Sequence, residues 1–108
     1  MPKAMKIGYD ALIEAARREI DELEPDQLMA AMDKGQVVLV DVRDIREVRR
    51  DGRIPGSFHC PRGMLEFWID PASPYFKQTF GENKRFVFYC TLDWRSALAT
   101  QTVSEMGY

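Results

Sequence analysis

Two rows of apolar, β-forming residues constrain the fold of this 108-residue chain more than any other feature. They are QVVLVDV at residues 36–42 and RFVFYC at residues 85–90. Neither row alternates apolar with polar residues, so both predict strands buried on two faces, as in a parallel sheet covered by helices. Helical patterns lie between and around the two rows, and we therefore predict an α/β fold with helices on both faces of the sheet.

Five segments have the apolar spacing of helices. They are YDALIEAARREI (9–20), EPDQLMAAMDKG (24–35), RDIREVRRDG (43–52), GMLEFWIDPASPYFKQTF (63–80), which Pro71 and Pro74 interrupt, and SALATQTVSEMG (96–107). Pro25 suits a first helical turn, and Gly35 suits a helix end. In the third helix we expect Ile45 and Val48 to face inward. The segment EIDEL at 19–23 predicts a short edge strand, and RIPGSFHCP at 53–61 predicts a turn followed by a short strand.

The charge balance excludes several classes of partner. The chain has 15 basic and 17 acidic side chains, so nothing attracts it globally to nucleic acid or to an anionic membrane. The arginines between Arg43 and Arg53 alternate with acids, which is typical of a solvated helix face. No apolar run approaches the roughly 18 residues of a membrane span, and the N-terminus lacks the apolar core of a signal peptide. We expect a cytoplasmic protein with no nucleic-acid or membrane partner.

Cys90 is the main candidate for chemistry. It ends the second buried strand and precedes Arg95 and Ser96 in the spacing Cys-x4-Arg-Ser. Ligands of parallel sheets bind at the carboxyl ends of strands, and a tight loop before a helix beginning near Ser96 would point N–H groups at an anion. A helix N-terminus and a nearby cation also favour a thiolate. Alternatively, Cys90 is an apolar residue at a strand end. The spacing favours a functional site.

The remaining candidates each have two interpretations. Arg43 follows the first strand at its carboxyl end, so it could contact a substrate there. It could equally pair with Asp41 or Glu47 in a structural ion-pair network. Cys60 could resolve a bond formed at Cys90, or it could pack in the core with His59. With one histidine and two cysteines, the chain lacks the ligands of a His/Cys zinc site, and we expect no metal.

Three motifs resemble those of the rhodanese-like domain, a sulfurtransferase family. They are LVDVRDIREV (39–48), GRIPGS (52–57) and YCTLDWRSALAT (89–100), which occur in the family's order. The likeness covers roughly residues 20–108, so we expect a rhodanese-like domain there and a helical extension at residues 1–19. Family members usually continue past the sequence Met-Gly-Tyr with another strand and a last helix. The resemblance therefore implies a domain that is short at its C-terminus and lacks both.

A missing last strand would leave an open sheet edge, which proteins seldom leave uncovered. Three explanations stay open at this point. The chain is truncated, the N-terminal helix compensates, or a second chain fills the gap, as in a homodimer that covers the sheet edge.

The resemblance implies an enzyme that transfers sulfur. Cys90 would attack the outer sulfur of thiosulfate or of a protein persulfide, and would then pass that sulfur to a thiol or cyanide-like acceptor. No cofactor is implied. Arg95 would close the loop or hold the donor's negative group, and Arg43 is a further substrate-binding candidate. The backbone amides that would hold the anion belong to the loop residues Thr91, Leu92, Asp93, Trp94, Arg95 and Ser96.

Loop length and loop composition leave alternatives to thiosulfate chemistry. Related cysteine phosphatases have the longer loop Cys-x5-Arg, so Cys-x4-Arg favours sulfur transfer over phosphate or arsenate chemistry. Asp93 stands where the family often has glycine, and its carboxylate would oppose an anionic donor. Trp94 could form a pocket wall or pack on a neighbouring helix. The rival hypothesis is a catalytically weak module that binds a partner or relays sulfur within an assembly.

Overall fold

The computed structural model describes residues 2–108, which form five α-helices and three β-strands. The helices are α1 (Tyr9–Glu19), α2 (Pro25–Asp33), α3 (Ile45–Asp51), α4 (Leu65–Ile69) and α5 (Trp94–Glu105). The strands are β1 (Val37–Asp41), β2 (Phe58–His59) and β3 (Arg85–Tyr89). Two short 3-10 helices, Arg62–Met64 and Gln78–Gly81, flank α4. The predicted α/β fold is confirmed.

The three strands form one parallel sheet in the order β2-β1-β3. Asp41 at the end of β1 lies opposite His59 of β2 and opposite Tyr89 of β3. The carboxyl ends of all three strands therefore meet at one edge of the sheet. Cys90 follows β3 directly, so it is placed at this edge, where parallel α/β sheets bind ligands.

Local sequence signals explain where α2 and α3 begin. Glu24 and Gln27 form a reciprocal capping box at the start of α2, with Pro25 in the first turn. Asp44 and Glu47 form the same arrangement at the start of α3. Two exposed backbone donors of each helix are satisfied in this way, which fixes the point where the chain leaves the preceding segment.

The core lies between one face of the sheet and helices α4 and α5. Val40 and Val42 alternate along β1 and its continuation, and Phe88 and Cys90 do so along β3, so all four point to this face. They pack with buried residues of the two helices, namely Leu65, Ile69, Ala99 and Val103. α1 packs on α5 through the buried Ile13 and Ala16.

Three details of the prediction are wrong. EIDEL at 19–23 forms no strand, because a strand needs a ladder partner and no described strand pairs with this segment. Ile45 is 41% exposed and does not face inward, because α3 begins there and turns its first residue to solvent. α5 begins at Trp94, two residues before the predicted start at Ser96.

None of the helices in the described part of the chain has both the length and the apolar character that a bilayer crossing requires.

A buried ion pair ties β1 to β3 at the carboxyl edge. Arg43 donates to both carboxylate oxygens of Asp41, with its Nη2 2.7 Å from Oδ2. The Tyr89 hydroxyl donates to the same carboxylate at 2.8 Å, and Arg43 also reaches the Gly52 carbonyl at 2.9 Å. Asp41 is fully buried, and Arg43 is 6% exposed.

The charges in this cluster stabilise one another. Burial acts to raise the pKa of Asp41, but the hydrogen bonds from Arg43 and Tyr89 outweigh it, and the pKa is lowered overall. The hydrogen bond to Asp41 likewise raises the pKa of Arg43. Burial, followed by the bond to Asp41, raises the pKa of Tyr89. Asp41 and Arg43 are therefore both charged at neutral pH.

Removing one charge of this pair should destabilise the protein strongly. We expect Asp41→Asn to lower the free energy of unfolding by about 3–5 kcal/mol, because Arg43 would keep a buried charge without its counterion. Urea denaturation measures the loss. Asp51→Asn, which removes one charge of an exposed pair with Arg50, is the matched control and should cost much less. Equal losses in the two variants would contradict this account.

Candidate active site

The sulfur of Cys90 is held at the N-terminus of α5. The backbone amide of Ser96 donates a hydrogen bond to Cys90 Sγ at 3.4 Å. The Cys90 thiol donates in turn to Ser96 Oγ at 3.5 Å. Ser96 is the third residue of α5, so its N–H is one of the donors that the helix itself leaves unpaired. The helix dipole adds a partial positive charge at this end. Both features place partial positive charge next to the sulfur.

The loop between Cys90 and α5 contains only three residues, Thr91 to Asp93. All three are exposed, and Leu92 is 64% exposed. Asp93 has φ 63° and ψ 2°, the left-handed region, and no other non-glycine residue among those described has a positive φ. Glycine adopts this region without strain, while aspartate tolerates it better than most residues. The backbone at this point explains why glycine suits the position and why aspartate can replace it.

Arg95 is held beside the site by an ion pair with α3. Its Nη1 and Nη2 bind the two oxygens of Glu47 at 2.5 and 2.9 Å, a bidentate arrangement. The hydrogen bond from Arg95 lowers the pKa of Glu47. The hydrogen bond to Glu47 raises the pKa of Arg95, and Cys90 makes a smaller contribution in the same direction. Arg95 therefore remains a cation in the first turn of α5, one residue before Ser96.

Glu47 is a residue of the site that the sequence did not single out for this role. Its carboxylate also accepts a hydrogen bond from the Asp44 amide, at 3.4 Å, in the capping box of α3. The position of Glu47 is therefore fixed within α3 independently of Arg95. The sequence contained one signal for it, the acid three residues after a helix N-cap at the carboxyl edge of the sheet. That signal predicts the capping hydrogen bonds of Glu47 but not its ion pair with Arg95, which is 48 residues away in the sequence.

The structure places Arg43 at the predicted edge, in the ion pair with Asp41. Arg43 thus forms the structural ion pair that was one of its two interpretations. Binding of a substrate by Arg43 stays a prediction. Trp94 packs on a neighbouring helix: its ring lies 5.2 Å from that of Tyr9 in α1, and it is 45% exposed. Thr91, Leu92 and Asp93 lie in the loop, and Trp94, Arg95 and Ser96 form the first turn of α5.

The second cysteine has a different environment. Cys60 is fully buried, and burial raises the pKa of its thiol to about 12. Its sulfur lies 3.8 Å from the Pro61 carbonyl oxygen, and both cysteines are free thiols. Such a thiol is a poor nucleophile, so the structure supports the packing interpretation of Cys60. Among residues 2–108, no three His, Cys, Asp or Glu side chains are grouped to hold a metal ion.

The arrangement at Cys90 combines a thiol with groups that can stabilise negative charge. The sulfur faces a helix N-terminus, and Arg95, held by Glu47, supplies a cation in the same helical turn. Cysteine in such surroundings is activated without a histidine base. A covalent reaction with an electrophilic sulfur or phosphorus atom fits this geometry.

Comparison with known proteins identifies relatives of this chain. The family model of the rhodanese-like domain matches residues 24–108. The human thiosulfate:glutathione sulfurtransferase is 30% identical over 88 residues, which cover 76% of each chain. The mouse thiosulfate sulfurtransferase/rhodanese-like domain-containing protein 3 is 28% identical over 87 residues, or 76% of this chain and 55% of that protein. This chain therefore spans little more than half of the mouse relative.

A solved structure from Rhodopseudomonas palustris CGA009 has the same fold. It is 51% identical, with a TM-score of 0.92, and the match covers 99% of this chain and 83% of that one. That protein is described as one of unknown function and as a possible tyrosine phosphatase.

The left-handed backbone at Asp93 gives a test of the loop geometry. We expect Asp93→Gly to be more stable than Asp93→Ala by about 1 kcal/mol, because only glycine adopts this region without a Cβ penalty. Both variants lose the carboxylate, so their difference isolates the backbone effect. Thermal or urea unfolding of the two proteins measures it. If the alanine variant is equally stable or more stable, Asp93 does not adopt the left-handed conformation.

Proposed function

We propose, since this chain belongs to the rhodanese-like domain family, that it is a sulfurtransferase that carries sulfur as a persulfide on Cys90. One observation carries the proposal: the Cys90 sulfur accepts a hydrogen bond from the Ser96 backbone amide at the N-terminus of α5. The names of the two relatives add support. The human relative is named as a thiosulfate:glutathione sulfurtransferase, and the name of the mouse relative contains the words thiosulfate sulfurtransferase.

In the first step, the Cys90 thiolate attacks the outer sulfur of the donor. With thiosulfate, a bond forms between Sγ and this sulfur, the sulfur–sulfur bond of thiosulfate breaks, and sulfite leaves with the electron pair. Negative charge is present on the nucleophile, the donor and the leaving group. The Ser96 amide, the α5 N-terminus and the Arg95 cation would stabilise that charge, as an oxyanion hole does in acyl transfer.

In the second step, a thiolate or cyanide acceptor attacks the outer sulfur of the persulfide. The bond from Sγ to that sulfur breaks, the acceptor leaves as a persulfide or thiocyanate, and the Cys90 thiolate is restored. No net oxidant or reductant is needed. Cys90 is 8% exposed, and it lines a groove with Asp93 and Ser96, so the acceptor would reach the outer sulfur through this groove.

Glu47 would act as a positioning residue for this reaction. It holds the Arg95 guanidinium with two hydrogen bonds, at 2.5 and 2.9 Å, and does not itself approach Cys90 in any described hydrogen bond. Because the pair partly neutralises Arg95, the cation would orient a donor rather than attract one strongly. We therefore expect the backbone amides to stabilise the negative charge of the reaction more than the Arg95 side chain does.

The Asp93 carboxylate bears on the choice of donor. It lies at the N-cap of α5 and makes no capping hydrogen bond, so its charge stays near the route by which an anion would approach. A carboxylate repels thiosulfate but has less effect on a neutral or protein-bound persulfide. We therefore propose a persulfide on a partner protein or small thiol as the preferred donor. Two free thiols suit a reducing compartment such as the cytoplasm.

A second candidate is phosphatase activity, because the 51% identical solved structure is described as a possible tyrosine phosphatase. The two reactions share a cysteine nucleophile and an anion-binding loop. The spacing from Cys90 to Arg95 is one residue shorter than in cysteine phosphatases, and Arg95 is engaged by Glu47. Both features disfavour a tetrahedral phosphate, so sulfur transfer is the better supported function.

Intact-mass measurement after exposure to a sulfane donor tests the proposal. We expect a gain of one sulfur atom in the wild type and in Cys60→Ser, and no gain in Cys90→Ser. Thiosulfate and glutathione persulfide are tested separately, and the persulfide should load the protein faster. Absence of the adduct with both donors would rule out sulfur transfer. Steady hydrolysis of para-nitrophenyl phosphate that requires Cys90 would instead support the phosphatase.

A further inference from the structure

The first turn of α5 carries no side-chain cap. Asp93 stands at the N-cap position with a left-handed backbone, and its carboxylate makes no capping hydrogen bond. In most capped helices the N-cap side chain accepts the amide of the second or third helical residue. The third residue of α5 is Ser96, and its amide donates to Cys90 Sγ instead. The sulfur thus takes the place of the cap acceptor, and its contact depends on a first turn that stays wound.

Two neighbouring helices hold this first turn from outside. Arg95, its second residue, forms the bidentate pair with Glu47 of α3. Trp94, its first residue, places its ring 5.2 Å from the ring of Tyr9 in α1, with the ring planes tilted by 47°. Successive residues of a helix point about 100° apart, so the two contacts lie on different sides of the turn. Together they restrain the turn that a cap would otherwise stabilise.

The packing of α1 along α5 fixes the place of Tyr9. Ile13 and Ala16 of α1 are buried, and α1 packs on α5. Tyr9, Ile13 and Ala16 are spaced four and three residues apart, so they share one face of α1. Further along both helices, the Gln101 side-chain amide donates to Glu19 at 3.4 Å. The two helices therefore run in the same direction, and Tyr9 reaches the first turn of α5.

The ring pair lies beyond the buried part of this helix contact. Tyr9 is 63% exposed and Trp94 is 45% exposed, whereas Ile13, one turn further along α1, is buried. The two rings therefore bury little surface, and their use lies in where they hold the turn. α1 also lies outside residues 24–108, the range that the family model matches. A contact from outside that range reaches the turn that holds the Cys90 sulfur.

We propose that Tyr9 is a positioning residue for Cys90. Its ring restrains Trp94, so that the first turn of α5 stays wound and the Ser96 amide stays directed at the sulfur. Tyr9 acts through Trp94 and needs no contact of its own with a donor or an acceptor. The N-terminal helix is in this way a working part of the site.

Loss of the Tyr9 ring should weaken the stabilisation of the thiolate. Helix ends fray, and removing a restraint raises the population of the open turn. An open turn moves the Ser96 amide away from the sulfur, so less of Cys90 is thiolate at neutral pH. An aromatic pair shifts such an equilibrium by about two- to tenfold. The role of Tyr9 in sulfur transfer rests on the proposed function, whereas this effect on the thiolate does not.

Alkylation of Cys90 by iodoacetamide tests the proposal, because the reagent reacts with the thiolate and needs no sulfur donor. Mass analysis of the labelled peptides separates Cys90 from Cys60. At neutral pH we expect Tyr9→Ala to react about two- to tenfold more slowly than the wild type. Tyr9→Phe keeps the ring and should react at the wild-type rate. So should the matched control Tyr75→Ala, which removes a tyrosine of similar exposure, 61%, outside this contact.

The pH dependence separates positioning from a change in access to the sulfur. At alkaline pH the thiol is ionised in every variant, so the rates of all variants should converge. The circular dichroism of the variants should match that of the wild type. The Ser96 amide should exchange with solvent faster in Tyr9→Ala than in Tyr9→Phe.

A double-variant cycle gives a second test that uses the other ring. Trp94→Ala should slow alkylation by the same factor as Tyr9→Ala. Because both changes break one contact, the combined variant should be no slower than either single variant. Additive losses would show that the two rings act separately, which would contradict the proposal.

Several results would overturn the positioning role. Equal alkylation of Tyr9→Ala and the wild type at neutral pH would refute it, as would a slower rate that persists at alkaline pH. A slow Tyr9→Phe or a slow Tyr75→Ala would also refute it, because neither change removes the ring contact. If the expected pattern is found but no sulfane donor loads Cys90, the positioning role is supported and the proposed function fails.

Discussion

The carboxylate of Asp41 connects the segments on which the site depends. It accepts hydrogen bonds from Arg43, at the start of the loop after β1, and from Tyr89, the last residue of β3. Through Arg43 the same cluster reaches the Gly52 carbonyl at the end of α3. Because Cys90 is the next residue after Tyr89, this cluster fixes the point at which the nucleophile leaves the sheet. The cluster thus helps to fix the position of Cys90.

A second connection runs from α3 to α5. The capping box of α3 fixes Glu47, Glu47 holds Arg95, and Arg95 lies in the same helical turn as the Ser96 amide that meets the sulfur. The groups around Cys90 are therefore arranged before any donor binds. Preorganised dipoles and charges stabilise a developing negative charge without the cost of reorienting during the reaction. A short loop and a fixed helix provide this arrangement, while His59 hydrogen-bonds to the Arg43 carbonyl.

Much of this could be predicted from the sequence, because the strongest signals are local. The rows VVLVD and RFVFY gave β1 and β3, Pro25 and Gly35 bounded α2, and the spacing of Cys90, Arg95 and Ser96 gave the candidate site. The pairing of Arg95 with Glu47 could not be predicted, since it joins α5 to α3 between residues that are 48 apart in the sequence. EIDEL failed as a strand for a similar reason: its pattern is local, but pairing requires a neighbour. From the sequence, the Asp93 carboxylate was expected to repel an anionic donor. The structure shows that the backbone of Asp93 is left-handed, a conformation that suits glycine and that aspartate tolerates.

The central claim is that Cys90 carries sulfur in a site formed by the loop and the first turn of α5. A crystal structure of the protein after treatment with a sulfane donor tests it most directly. We predict one additional sulfur atom bonded to Cys90 Sγ at about 2.05 Å, directed towards the backbone amides of residues 91–96. An unmodified Cys90, or an added sulfur that points away from these amides, would contradict it.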